Sequence, residues 1–260
     1  MNNKALITVL GSGTSQGVPV IACDCEVCRS GDPRDKRLRT SVMLEYNGQV
    51  YVIDTGPDFR QQMLQHGVKN LTAVLFTHEH KDHVAGLDDV RAFNFKLQKH
   101  IDVYAEQRVE DALRREYAYI FAGSPYPGIP QIKMNLITEK PFTINDIEFC
   151  PVRLYHYRLP VLGFRIGDFA YLTDVKTIPA VELDKLKNLK TLIITALRKE
   201  EHISHMNLEE ALQAIEIIGP EMAYLNHLSH RFGLHAVEEK RLPEHVRIAY
   251  DGLQLPVNLG

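Results

Sequence analysis

The chain has 260 residues, 45% of them hydrophobic and 24% charged, with a formal net charge of −3. That balance suits an α/β unit able to bury a sizeable core, and it gives no general attraction to nucleic acid or to an anionic membrane surface. The opening Met1-Asn2-Asn3-Lys4-Ala5-Leu6 lacks the long apolar core of a secretory signal. No apolar run approaches the roughly 18–20 residues that span a bilayer, so a cytoplasmic location without membrane contact is expected.

Apolar runs predict a first strand over Ala5–Leu10 and two hairpin-like strands over Ser41–Tyr46 and Gln49–Ile53. Between them Cys23, Cys25 and Cys28 cluster, and without a secretory signal metal binding is a better expectation for them than disulfides. Asp54 ends the third strand. A carboxylate there can accept a hydrogen bond from a metal-binding histidine and fix its tautomer. A helix is expected over Pro57–Gln65, with proline near its start and Gly67 past its end.

A buried strand over Ala73–Phe76 leads into His78-Glu79-His80-Lys81-Asp82-His83. Val84–Asp89 can then open a helix. A turn lets side chains one or two residues apart converge, which a straight strand forbids because neighbours face opposite ways. Neutral imidazole and carboxylate are ligands for zinc, manganese or iron. His78 and His80 can serve one ion, and Asp82 with His83 a second.

Further strands are expected over Asp102–Tyr104, Ile147–Leu154, Leu162–Ile166, Ala170–Leu172, Thr191–Thr195, Met222–Leu225 and Val246–Tyr250. Helices are expected over Glu106–Tyr119 and over Asn207–Ile218, where Asn207 is a good cap. The stretch 121–130 is dense in turn formers and reads as a loop, either a lid or an ordinary connection. Cys150 reads as a core residue of its strand. His156, Asp174 and His227 each follow a predicted strand, where side chains can be aimed, and Asp174 is placed to bridge two ions. No linker or repeat interrupts the chain, so residues 1–260 are expected to form one domain of two facing mixed sheets with helices outside.

These residues resemble the metallo-β-lactamase superfamily, whose pattern is His-x-His-x-Asp-His followed by a later His, Asp and His. The order matches across nearly the whole chain. The resemblance implies a four-layer αββα sandwich with a dinuclear site at the sheet edges. It also implies His78, His80 and His156 on one metal, Asp82, His83 and His227 on the other, Asp174 bridging and Asp54 behind the ligands. The segments Leu10–Pro19 and Cys23–Cys28 resemble, more narrowly, the cyclic phosphodiesterases of phosphonate breakdown, which act on phosphoribosyl 1,2-cyclic phosphate. That likeness implies a structural zinc held by Cys23, Cys25, Cys28 and His230, a closed tetrahedral set. It also implies His205 as the acid on the leaving oxygen, with His202 a rival.

The expected reaction is phosphodiester hydrolysis. Two divalent ions (Mn or Zn, with Fe and Ni also compatible) lower the pKa of a shared water, and the resulting hydroxide attacks phosphorus while Asp82 or Asp174 orients it and His205 protonates the departing oxygen. The expected partner is a small phosphodiester; nucleic acid is disfavoured without being excluded, and a homodimer is allowed. One alternative is a nuclease resembling tRNA 3′-end processing enzymes, against which stands the lack of a basic arm. A lactonase or thioesterase on the same fold is another. A non-catalytic metal-binding scaffold is a third, and every expected ligand position is occupied. The stretch 91–131 matches no pattern, and no motif for reading a ribose stands out.

Overall fold

The computed structural model describes residues 4–123, 126 and 128–259. Met1–Asn3, on which part of the leader reading falls, and Ser124, Pro125 and Pro127 of the expected loop lie outside the described residues. The first sheet contains β1 (Lys4–Gly11), β2 (Ser41–Tyr46), β3 (Gln49–Ile53), β4 (Ala73–Leu75), β5 (Ile101–Ala105) and β6 (Ile132–Leu136). The second contains β7 (Phe142–Ile144), β8 (Ile147–His156), β9 (Leu159–Ile166), β10 (Phe169–Leu172), β11 (Thr191–Thr195), β12 (Met222–Asn226) and β13 (Val246–Ile248). β14 (Gln254–Asn258) returns to the first sheet beside β1.

Among the described residues both sheets have seven strands, in the orders β14-β1-β2-β3-β4-β5-β6 and β13-β12-β11-β10-β9-β8-β7. In each, an antiparallel meander passes into a parallel run, at β3–β4 and at β10–β11. Strands apolar on both faces explain the layering, because successive side chains point to opposite sides. Tyr51 and Ile53 of β3 face the core between the sheets, while Val50 and Val52 face an outer core that includes Phe59, Phe93, Val109 and Leu113. In the second sheet Phe169 and Tyr171 face inward, while Ala170 and Leu172 face outward with Ala211 and Ile215 of the helix Leu208–Ile218. Helix, sheet, sheet and helix layers result, the expected αββα sandwich.

That last helix starts on a capping box. Asn207 accepts from the Glu210 amide at 2.9 Å, and Glu210 accepts from the Asn207 amide at 3.0 Å. The carboxyl ends of β3, β4, β10 and β12 meet along one edge of the sandwich, and β8 runs the same way as β10, so His156 arrives there too.

Several expectations are corrected. β6, β7 and β14 were not anticipated: β6 is half exposed, β7 spans three residues, and β14 carries Pro256, tolerated because the strand lies at a sheet edge. His156 is the last residue of β8 rather than a residue beyond it. The ligand run is itself helical over Lys81–Val84, before the expected helix opening. The helix expected over Glu106–Tyr119 ends at Glu116, and a short one follows over Ala118–Phe121. Cys150 is half-buried on β8, outside the core, and burial raises its thiol pKa.

Candidate metal centre

Asp54, Asp174 and His227 each leave a strand with a left-handed backbone, at φ 67°, 53° and 58°. For non-glycine residues this conformation costs on the order of 1–3 kcal/mol, and it persists where surrounding contacts fix it. Here it turns the chain sharply at the common edge and delivers three side chains to one place. Asp54 accepts from the Thr77 amide at 2.9 Å and from Thr77 Oγ1 at 2.8 Å. It also lies 2.7 Å from His83 Nδ1. With Nδ1 held by that carboxylate, His83 turns Nε2 into the cluster.

Asp174 sits at the centre. Its Oδ2 lies 3.7 Å from His78 Nε2, while its Oδ1 lies 3.2 Å from His83 Nε2 and 3.0 Å from His227 Nδ1. One carboxylate thus turns one oxygen to His78 and the other to His83 and His227. Asp82 Oδ2 is 3.3 Å from His83 Nε2. His80 lies 4.6 Å from His78 and 5.2 Å from His156, ring centre to ring centre. All seven expected ligand residues are therefore brought together. His205 stands among them, 4.4 Å from His156 and 4.8 Å from His227, with His202 5.2 Å further out.

The donor set fits divalent ions. His78 Nε2, His83 Nε2 and His227 Nδ1 are buried and make no hydrogen bond among the described residues, as do His156 Nδ1 and His205 Nδ1. Buried imidazole nitrogens converging on carboxylates without bonding them are costly unless a cation lies between. Ligand atoms of His78, His80 and Asp174, of His83, Asp174 and His227, and of His156, Asp174 and His205 lie within 4.8 Å of one another in each group.

Electrostatics points the same way. Burial pushes His83 down, but the charges of Asp174, Asp82 and Asp54 outweigh it and hold the imidazole well above its usual range. Burial pushes Asp174 up, and the charges of His227 and His83 bring it well below the usual carboxylate range. His78, His156 and His227 are lowered by burial, and so is His205, to about 2. The cluster demands positive charge and keeps most of its imidazoles neutral, as metal ligands must be.

A second cluster joins distant parts of the chain. His230 Nδ1 lies 3.1 Å from Cys23 Sγ, 3.5 Å from Cys25 Sγ and 3.6 Å from Cys28 Sγ. In a tetrahedral zinc site, bond lengths of about 2.3 Å to sulfur and about 2.0 Å to nitrogen give S···N edges of about 3.5 Å. The Cys28 amide donates to Cys25 Sγ and lowers that thiol to about 6, while burial raises Cys28 to about 11.

Supporting residues were not anticipated. Thr14 Oγ1 lies 3.3 Å from His227 Nε2. Asp251 accepts from the Ser12 amide, Ser12 Oγ and the Leu38 amide at 2.7–2.8 Å, and buried Arg37 donates to Ser12 Oγ and the Ala249 carbonyl. This network fixes the loop that carries Thr14, and its members are far apart in sequence, so spacing gave no signal. His235 proves structural: it is buried beside Arg37 and its amide donates to Asp35. His66, half-buried, and His100 and His245, exposed, take no part in either cluster.

The beta-lactamase superfamily domain profile matches residues 50–228. A solved diphosphatase of the PhnP family is 39% identical, covers 98% of each chain and superposes with a TM-score of 0.93. Zn-bound PqqB from Methylobacterium extorquens shares the fold at 18% identity, with a TM-score of 0.76 over 96% of this chain and 99% of that one. An octanoyltransferase from Porphyromonas gingivalis is 46% identical over 249 residues, which is 95% of this chain and 50% of the relative. The chain spans about half the length of the curated relatives it matches. No helix among the described residues is long and apolar enough to cross a membrane.

Proposed function

The chain belongs to the beta-lactamase superfamily, and from that membership we propose that it hydrolyses a small phosphodiester, a cyclic phosphate of the phosphoribosyl type, with two divalent ions at the Asp174 cluster. The fold and the near full-length likeness to a PhnP-family diphosphatase support a hydrolase acting at phosphorus. The observation that carries the reading is Asp174, whose two oxygens face different histidines while buried ring nitrogens around it lack hydrogen-bond partners among the described residues.

His78, His80 and His156 would hold one ion and Asp82, His83 and His227 the other, with Asp174 between them. Manganese or zinc suits these ligands, and iron or nickel is compatible. When bound, the ions supply Lewis-acid charge and a water of lowered pKa. Asp54 holds His83 by its Nδ1 and keeps the other ring nitrogen facing inward. Asp82 orients the attacking water. His205, kept neutral by burial, would take the proton released by the attacking water and pass it to the departing oxygen. Cys23, Cys25, Cys28 and His230 would hold a structural zinc.

The name octanoyltransferase belongs to a relative about twice as long. This chain spans half of that relative, so we do not carry that activity over.

The test is a panel assayed with metal-analysed protein: bis(p-nitrophenyl) phosphate, a cyclic nucleotide, a precursor tRNA and a lactone. Turnover of the small phosphodiesters is expected. The variant His205→Ala should keep its metal and slow ester cleavage by a factor on the order of 10²–10⁴. Turnover of the lactone alone would remove the phosphodiesterase reading, and cleavage of the tRNA alone would replace it with the nuclease.

A further inference from the structure

The second sheet carries a cavity of about 730 Å³ away from the Asp174 cluster. It opens where Cys150 of β8 pairs with Arg165 of β9, toward the end of these strands opposite His156. Cys150 and His156 stand six residues apart on β8, about 20 Å along the strand. Phe149 and Phe164 face the core between the sheets, so alternation turns Cys150 and Arg165 to the outer face. The 3₁₀ segment Ala180–Leu186 runs over that face and brings Lys185 to the cavity, while Asp168, Lys190 and Asn258 complete the wall.

Charge on this wall is unbalanced. Arg165 is partly buried; its Nε donates to the Gly167 carbonyl at 3.0 Å and its Nη1 to the Lys185 carbonyl at 2.7 Å. Both acceptors are neutral. Among the described residues no carboxylate pairs with this guanidinium, and its Nη2 has no hydrogen-bond partner. A cation drawn partly out of water is ordinarily matched by an anion. Asp168 does not supply one, because it already accepts from the Asn258 amide at 2.8 Å and from Asn258 Nδ2 at 2.9 Å, with the Lys190 ammonium 3.6 Å away. Lys185 pairs with Glu182 at 2.8 Å. Glu148 is exposed and forms no ion pair among the described residues.

We propose that this cavity is a second binding site, separate from the metal centre, for a small oxyanion with two negative charges, a phosphate monoester or a dicarboxylate, held by Arg165 with Lys190 beside it. The guanidinium is pinned by two carbonyls, so it loses little freedom when an anion binds, and its planar fork suits both kinds of oxyanion. Glu148, on the same wall, opposes the anion by like charge. The site does not depend on which ester the metal centre hydrolyses.

Cys150 lines the cavity and reports on it. The experiment alkylates metal-loaded protein with iodoacetate and with iodoacetamide, which differ by one charge, and follows Cys150 alone by peptide mass spectrometry. The rate ratio, anionic over neutral reagent, cancels changes in the thiol's own reactivity. Arg165→Gln should lower this ratio and Glu148→Gln should raise it, each about three- to tenfold, the size of one unit charge at close range. Inorganic phosphate and malonate are then tried as protectants, with ionic strength held constant by chloride. Saturable protection of Cys150 is expected from at least one of them; phosphate alone marks a phosphate ester site, and malonate alone a dicarboxylate site. Phosphate held at the Asp174 cluster lies too far away to shield Cys150. Lys190→Gln, at a half-exposed position that the fold does not need, should weaken the protection severalfold. No protection by either anion, or protection that Arg165→Gln and Lys190→Gln both leave unchanged, would overturn the site.

Discussion

Asp251 shows how much one side chain outside the chemistry can govern. Its carboxylate takes up three donors and sits against the buried Arg37–Ser12 pair. Burial raises it to about 6, above the value of about 3.9 expected in the unfolded chain. A carboxyl raised on folding contributes stability that is full below the unfolded value and lost as pH rises through the folded one. The Tm advantage of the wild type over Asp251→Asn should therefore be greatest near pH 4 and shrink as pH rises through 6. Thermal melts of both proteins across that range check this, since the metal ligands titrate alike in each; an advantage that grows with pH contradicts it. At the same scale the sequence was informative about which histidines and carboxylates cluster and uninformative about their supports. His78 to His83 stand within six positions, so their meeting is local. Thr14 meets His227 across 213 residues, and nothing in either neighbourhood announces it.

The ligand helix Lys81–Val84 is placed by two close backbone approaches. A Cβ on Gly56 would lie 2.2 Å from the Asp82 carbonyl oxygen, and one on Gly86 would lie 2.2 Å from that of Gly56. Gly86 also donates its amide to the Thr55 carbonyl at 2.8 Å. The turn after β3 and the turn after β4 can interlock only because neither glycine carries a side chain. Gly86→Ala forces them apart and should cost about 1–3 kcal/mol, the range for overpacking a tight contact. It should also displace Asp82 and His83. Urea denaturation and metal content together test this, and a variant with unchanged stability would show that the turns can separate freely. The strands that build this edge were legible because their apolar runs are long or alternate. β6, β7 and β14 were not, because an edge strand needs few apolar residues and takes its hydrogen bonds from a neighbour remote in sequence.

Across the whole molecule, the cluster of Cys23, Cys25, Cys28 and His230 ties an early loop to the segment after β12, some 200 residues later. Closing so long a loop with a metal should contribute substantially to folding. Cys25→Ser is expected to lower zinc content and Tm together, and chelation of the wild type should lower Tm in the same direction. Elemental analysis alongside calorimetry decides it; full zinc content in the variant would end the structural-site proposal. By itself the sequence determined the αββα layering, through strands apolar on both faces, and which residues are candidates for the cluster, because imidazoles and carboxylates stand at strand ends where chain direction changes. Only the tertiary structure decided that Asp174 faces two sets of histidines and that His205 stands inside the cluster. Those facts depend on backbone dihedrals and on contacts between the two sheets, which no local pattern of residue types encodes.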